Sequence, residues 1–198
     1  TPPDMIVCDD ITNDGTAIFN LTSQDTYVLG GLAASDFTIS YHTSLVGAQT
    51  NNVTALATPA AAYVGGPNEV IYVRMESNID ATQYTTTFFN LIVNPLPTAT
   101  ITANTICEGT TGTVTITGTA DATVQYSVNG LTQSVTLDAT GTATISTAVL
   151  TADAVYCLVD VVTSGTPVCS QVLTSCATVV VNPLPTATIT ANTICEGT

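Results

Sequence analysis

Apolar and polar residues alternate in short runs along most of the chain. No long segment keeps the 3.6-residue apolar spacing of a helix. In the first half the pattern predicts strands over residues 4–8, 16–21, 36–43, 69–76 and 85–94. The run 36–43 alternates most cleanly, with Phe37, Ile39 and Tyr41 on one face. In 69–76, Val70, Tyr72 and Arg74 share one face and Ile71, Val73 and Met75 the other. Residues 22–29 admit one helical turn capped by Ser23 or Asp25. Residues 44–50 read as loop or a short turn, and 58–68 as an Ala-, Pro- and Gly-rich connection. The second half predicts strands over 98–103, 112–117, 122–128, 131–137, 141–147, 154–162 and 177–182. Asn129-Gly130, between two alternating runs, is a hairpin signal.

Short strands separated by turn signals predict an all-β chain of tandem Ig-like or fibronectin-III-like β-sandwich modules. Leu150 and Tyr156 are spaced as in the tyrosine corner of those folds, which turns Tyr156 and Leu158 inward. Strict alternation would bury Asp160 as well, so a bulge or an edge position is expected there.

The stretch VNPLPTATITANTICEGT occurs twice without a change, at residues 93–110 and 181–198, an offset of 181 − 93 = 88. A period of that length marks a modular array. It divides the chain into a first module over 1–94, a second over 95–182, and the start of a third over 183–198. Thr198 then falls inside a repeat, as in a window on a longer protein. Pro95 and Pro97 end a strand and stiffen the hinge between modules.

Charged residues are 8% of the chain against roughly 25% in ordinary domains. The surface is therefore neutral and polar, largely threonine. Lysine is absent, Arg74 is the one basic residue, and the net charge is −14. That excludes a nucleic-acid binder, which needs cations against phosphate. It also disfavours anionic membranes, and no apolar run is long enough for a transmembrane helix. Six cysteines in a small β chain favour an oxidising, extracellular compartment.

No catalytic constellation is present: one histidine, no nucleophile–base pairing and no phosphate-cradling loop. His42, alone at a strand end, reads as structural or solvated. Arg74 is expected to pair with a nearby carboxylate. The loop of Asp9, Asp10, Thr12, Asn13, Asp14 and Gly15 places oxygens at alternate positions before a glycine, the front half of a calcium loop. Its twelfth position is Leu21, so further ligands must come from elsewhere, Asp25 being one candidate. The alternative is an Asx-rich turn capped by its own side chains. Cys107, Cys157, Cys169 and Cys176 admit three pairings. The arrangement expected here is Cys107–Cys169 with Cys157–Cys176. Cys195, the repeat equivalent of Cys107, is expected to be unpaired.

The series C-D-D-x-x-N-D-G, F-N-L-T, D-F-T-I-S-Y-H, I-Y-V-R and F-x-L-I-V-N-P-L-P over residues 4–97 resembles Ig-like modules of very large surface proteins of gliding Bacteroidetes. The series T-I-C-E-G-T, L-D-A-T-G-T-A, L-T-A-D, S-G-T-P-x-C-S-Q and V-N-P-L-P resembles the repeat of giant flavobacterial gliding-motility adhesins. The resemblance implies export by type IX secretion and a place on the cell surface. It implies contact with external surfaces, polysaccharide or other cells, and with a surface motility machinery. Such modules often carry a second cysteine before the closing strand. Residues 77–89 have none, so Cys8 is expected to be a buried free thiol or to pair outside the window. The expected role is a non-enzymatic adhesive rod. The alternatives are spacer or binding modules of a secreted multidomain enzyme, or a subunit of an extracellular filament.

Overall fold

The structure is a computed structural model that describes residues 1–51, 55–56, 62–193 and 196. About half the chain is strand and a tenth helix, an all-β fold. It forms two compact units. Unit one is Thr1–Pro97 together with Val162–Gln171; unit two is Thr98–Val161 together with Val172–Thr198. A segment that belongs by sequence to the second repeat is therefore folded with the first.

The strands of Thr1–Pro97 are β1 (Met5–Cys8), β2 (Ala17–Phe19), β3 (Phe37–His42), β4 (Tyr63–Gly65), β5 (Glu69–Ser77) and β6 (Tyr84–Asn94). One sheet runs β1-β6-β5-β3, with β1 parallel to β6. The second is the antiparallel pair β2-β4. Alternation turns Ile71 and Val73 of β5, and Phe89 and Leu91 of β6, onto Phe19 and Leu21, all fully buried. Each such side chain contributes roughly 1.5–3 kcal/mol by leaving water. Among the described residues, the unit also holds two short α-helices, α1 (Asp25–Leu29) and α2 (Leu45–Thr50).

Three expectations are corrected here. Residues 44–50 are a helix, because Ser44 Oγ accepts the Gly47 N–H (3.1 Å) as its N-cap. Neither Ser23 nor Asp25 caps the 22–29 segment. Asp25 instead accepts the Tyr41 hydroxyl, and burial together with that bond pushes the phenol far above its usual range. Part of the 58–68 connection is strand β4, which pairs with β2; residues 58–61 of it lie outside the described residues.

From Ala99 onward the strands are β7 (Ala99–Ala103), β8 (Thr105–Cys107), β9 (Thr110–Gly118), β10 (Thr123–Val128), β11 (Leu131–Thr136), β12 (Thr142–Leu150), β13 (Ala154–Val162), β14 (Ser170–Val172) and β15 (Cys176–Asn182). In unit two one sheet follows β11-β10-β13-β15-β8, and the facing sheet follows β12-β9-β7. Val114, Ile116, Val124, Leu137, Val161 and Val179 fill the space between them. The β10–β11 hairpin turns at Asn129 and Gly130, both at positive φ (51° and 82°), with Val128 opposite Leu131. Tyr156 and Leu158 are buried, but the next buried residue of β13 is Val161. The inward phase thus slips by one residue at Asp160, which ends partly buried, with one carboxylate oxygen lacking a partner.

On the outer side of β7, β9 and β12, Thr100 lies opposite Thr117 and Thr117 opposite Thr142; Thr102, Thr115 and Thr144 repeat the arrangement. The Thr100 hydroxyl bonds the Thr117 hydroxyl (2.8 Å), and the Thr100 and Thr102 hydroxyls donate to the Thr117 and Thr115 carbonyls (3.3 and 3.4 Å), so this face is polar without carrying charge.

Candidate functional site

The first strand ends in the acidic loop, and each of its three aspartates, like Asn13, accepts at least one backbone N–H. Asp9 is buried; its carboxylate accepts the N–H groups of Asp10 (2.8 Å) and Gly15 (2.7 Å), closing the loop across its base. Asp10 accepts both the N–H (2.8 Å) and the hydroxyl (2.6 Å) of Thr12. Asp14 does the same for Thr16 (3.0 and 2.7 Å), and these bonds hold its carboxyl below the usual range. Asn13, at φ 48°, turns outward and accepts the Leu96 N–H (2.9 Å). The Asp9 N–H donates to the Asn94 carbonyl (2.8 Å). The loop therefore clamps the start of the Pro-rich linker.

Asp-x-Thr turns of the same build recur at Asp80–Thr82 and Asp138–Thr140, away from any calcium-like sequence. Asp9, Asp10 with Thr12, and Asp14 thus form consecutive self-capped turns, while the Asn13 side chain serves the linker. Asp25 is engaged by Tyr41 instead. Among the described residues, no three His, Cys, Asp or Glu side chains come together as a metal site.

Beside this loop, Cys8 is bonded to Cys169 (S–S 2.07 Å, Cα–Cα 5.5 Å). This corrects two expectations. Cys169 does not pair with Cys107, and Cys8 is neither free nor paired outside the chain. The physical reason is placement: residues 162–171 fold with unit one and bring Cys169 to the end of β1. There the Thr163 N–H donates to the Cys169 carbonyl (2.9 Å), and the Thr163 hydroxyl accepts the Cys169 N–H (2.9 Å), closing the loop. Cys107, at the end of β8, is an exposed free thiol. Cys157 and Cys176 are joined across paired strands β13 and β15, where they stand directly opposite each other. Cys195 lies outside the described residues.

The sole cation is a structural anchor. Arg74 is buried, and its Nε donates to Glu76 (2.7 Å). The rest of the guanidinium donates to the carbonyls of Ala48 (3.1 Å), Gln49 (3.0 Å) and Ala81 (3.3 Å), and stacks over Tyr84 (3.6 Å). Two of those carbonyls end α2, where a positive charge also complements the helix dipole. His42, on β3, is buried on the same sheet face as Arg74; its Nε2 meets Ser40 Oγ at 3.0 Å and its Nδ1 has no hydrogen-bond partner. Burial, and then the charge of Arg74, lower its pKa. Tyr63 donates to Glu69, and burial with that bond pushes its phenol up to about 12. One shallow recess is lined by Phe37, Met75, Ser77, Gln83, Tyr84 and Thr85.

Residues 4–97 match the family described as the Flavobacterium inter-domain disulphide bond domain. No curated protein matches the chain. Among solved structures, the chain is similar to the crystal structure of domains 4 and 5 of the S-layer protein SbsC. The identity is 14%, the TM-score 0.28, and the match covers 79% of this chain and 74% of that one. A superposition that loose transfers neither fold detail nor function. The family match and the two disulfides support a flavobacterial extracellular protein. No described helix is long and apolar enough to cross a membrane.

Proposed function

We propose that this chain is a repetitive structural and adhesive segment of a long flavobacterial cell-surface adhesin. It acts as a rod in surface attachment and gliding and is exported by type IX secretion. Its modules follow the division at residues 94 and 182, with a third begun at 183. The observation that carries the reading is the Cys8–Cys169 bond. It ties the first strand of one sequence module to a loop encoded in the next, across the whole of Thr98–Val161. A covalent bond placed there resists extension, which is what a tether under load requires. The unchanged 93–110 and 181–198 stretches support a modular array, and the acidic, lysine-free composition supports a soluble, exposed surface. Adhesion and motility rest on the resemblance of the repeats to those of gliding adhesins.

The test is to label living source cells with an antibody against Thr98–Val161 and film them. Foci that travel along the cell surface support the reading. Fixed foci reduce it to a static adhesin or stalk and remove the motility role. Signal confined to the medium overturns it in favour of a released multidomain enzyme or a matrix component.

A further inference from the structure

Cys8 and Cys107 occupy the same place in their two sheets. β1 and β8 are each short strands that pair in parallel with the last strand of their sheet. Cys8 stands opposite Asn94, and Cys107 opposite Asn182. In both, the next residue donates to that asparagine: Asp9 N–H to the Asn94 carbonyl and Glu108 N–H to the Asn182 carbonyl, each at 2.8 Å. Each asparagine opens the same Asn-Pro-Leu-Pro linker. One cysteine of this equivalent pair is cross-linked and the other is an exposed free thiol.

The partner of Cys8 lies beyond its linker, in the module introduced by residues 93–110. That same 18-residue introduction begins again at Val181 and contains the linker that follows the module of Cys107. We propose that Cys107 is a second cross-linking site. Its partner is the cysteine that holds, in the following repeat, the place Cys169 holds in this one. Each module then ties its opening strand to a loop of its successor, and the array becomes a covalently linked series. Formation breaks two S–H bonds and makes one S–S bond. The two electrons and two protons pass to a disulfide-donating oxidant, which leaves as a dithiol. The inference rests on the modular-array reading but not on adhesion or motility, so immobile cells leave it standing.

The test completes the third repeat by appending a copy of residues 111–182 after Thr198, in a Cys195→Ser background. The protein is oxidised with glutathione disulfide, alkylated and mapped as non-reduced peptides. The expected result is Cys107 joined to the appended copy of Cys169, Cys8–Cys169 and Cys157–Cys176 intact, and no free thiol. Cys107→Ser should then expose one thiol, on that appended copy. Alkylated Cys107 alongside intact Cys8–Cys169 and Cys157–Cys176 overturns the proposal, because those pairs report correct folding. Cys107 linked between two molecules overturns it as well. The same mapping on protein recovered from cells decides the matter should the extended chain not fold.

Discussion

The Cys8–Cys169 bond has a mechanical consequence that can be computed. Load applied at Thr1 and Thr198 enters along residues 1–8, crosses the disulfide and leaves along residues 169–198. Everything between is outside the load path, whatever its folding stability. The perturbation is the double variant Cys8→Ser with Cys169→Ser, which avoids exchange with Cys107. In the variant the path runs to Cys157, crosses to Cys176 and continues. The sequence separations are 161 and 19, so the variant gains 161 − 19 = 142 residues of extensible chain. At about 3.5 Å per residue that is roughly 500 Å of added contour length. Optical-tweezers extension between handles on the two termini reads it directly. Reduction of the remaining bond should release about 65 Å more, from 19 residues at the same length each. Equal contour lengths for the oxidised wild type and the double variant would refute the reasoning, since they would mean that load does not cross Cys8–Cys169.

Three further outcomes concern Arg74, His42 and the acidic loop. Arg74→Met leaves the Ala48, Gln49 and Ala81 carbonyls and Glu76 without their donor. It should cost unit one about 3 kcal/mol in urea unfolding followed by circular dichroism, with unit two changed by less than about 0.5 kcal/mol. A loss below about 1 kcal/mol would show that the arginine is not an anchor. His42 is held neutral, so the unfolded chain takes up its proton first. Stability is full above about pH 6.5 and falls as the pH drops below it, by up to about 1.4 kcal/mol per unit, levelling off below the lowered folded value. His42→Gln should flatten the pH 5–7 profile; an unchanged slope contradicts the assignment. Because both Asp9 oxygens and one oxygen each of Asp10 and Asp14 already accept backbone N–H groups, millimolar calcium or excess chelator should shift the melting temperature by under about 1 °C. A rise of several degrees with calcium would show a cation site.

Strands with regular alternation were legible from side-chain pattern alone: β3, β5, β6, β10 and β13 fall within a residue or so of the predicted runs. The hairpin at Asn129-Gly130 was legible because only a few residue types accept positive φ at both turn positions. Strands β4, β8 and β14 were not, since three residues are too few to show a period. Helix α2 was missed because six residues including a glycine carry no helical periodicity; its cap and the Arg74 contacts form it. Asp-x-Thr spacing looks like a calcium loop because both uses place oxygens two residues apart. The Cys157–Cys176 pair followed from neighbouring strands. Cys8–Cys169 did not, because nothing local signals that residues 162–171 leave their own repeat to fold with unit one.

The most direct measurement is a non-reduced peptide map of the oxidised chain, alkylated before digestion. The account predicts one peptide pair joining Cys8 to Cys169, a second joining Cys157 to Cys176, and Cys107 recovered alkylated. A map in which Cys169 is joined to Cys107 and Cys8 is recovered alkylated would contradict it. The cross-link would then be confined to the second repeat, and the proposed tether would lose its basis.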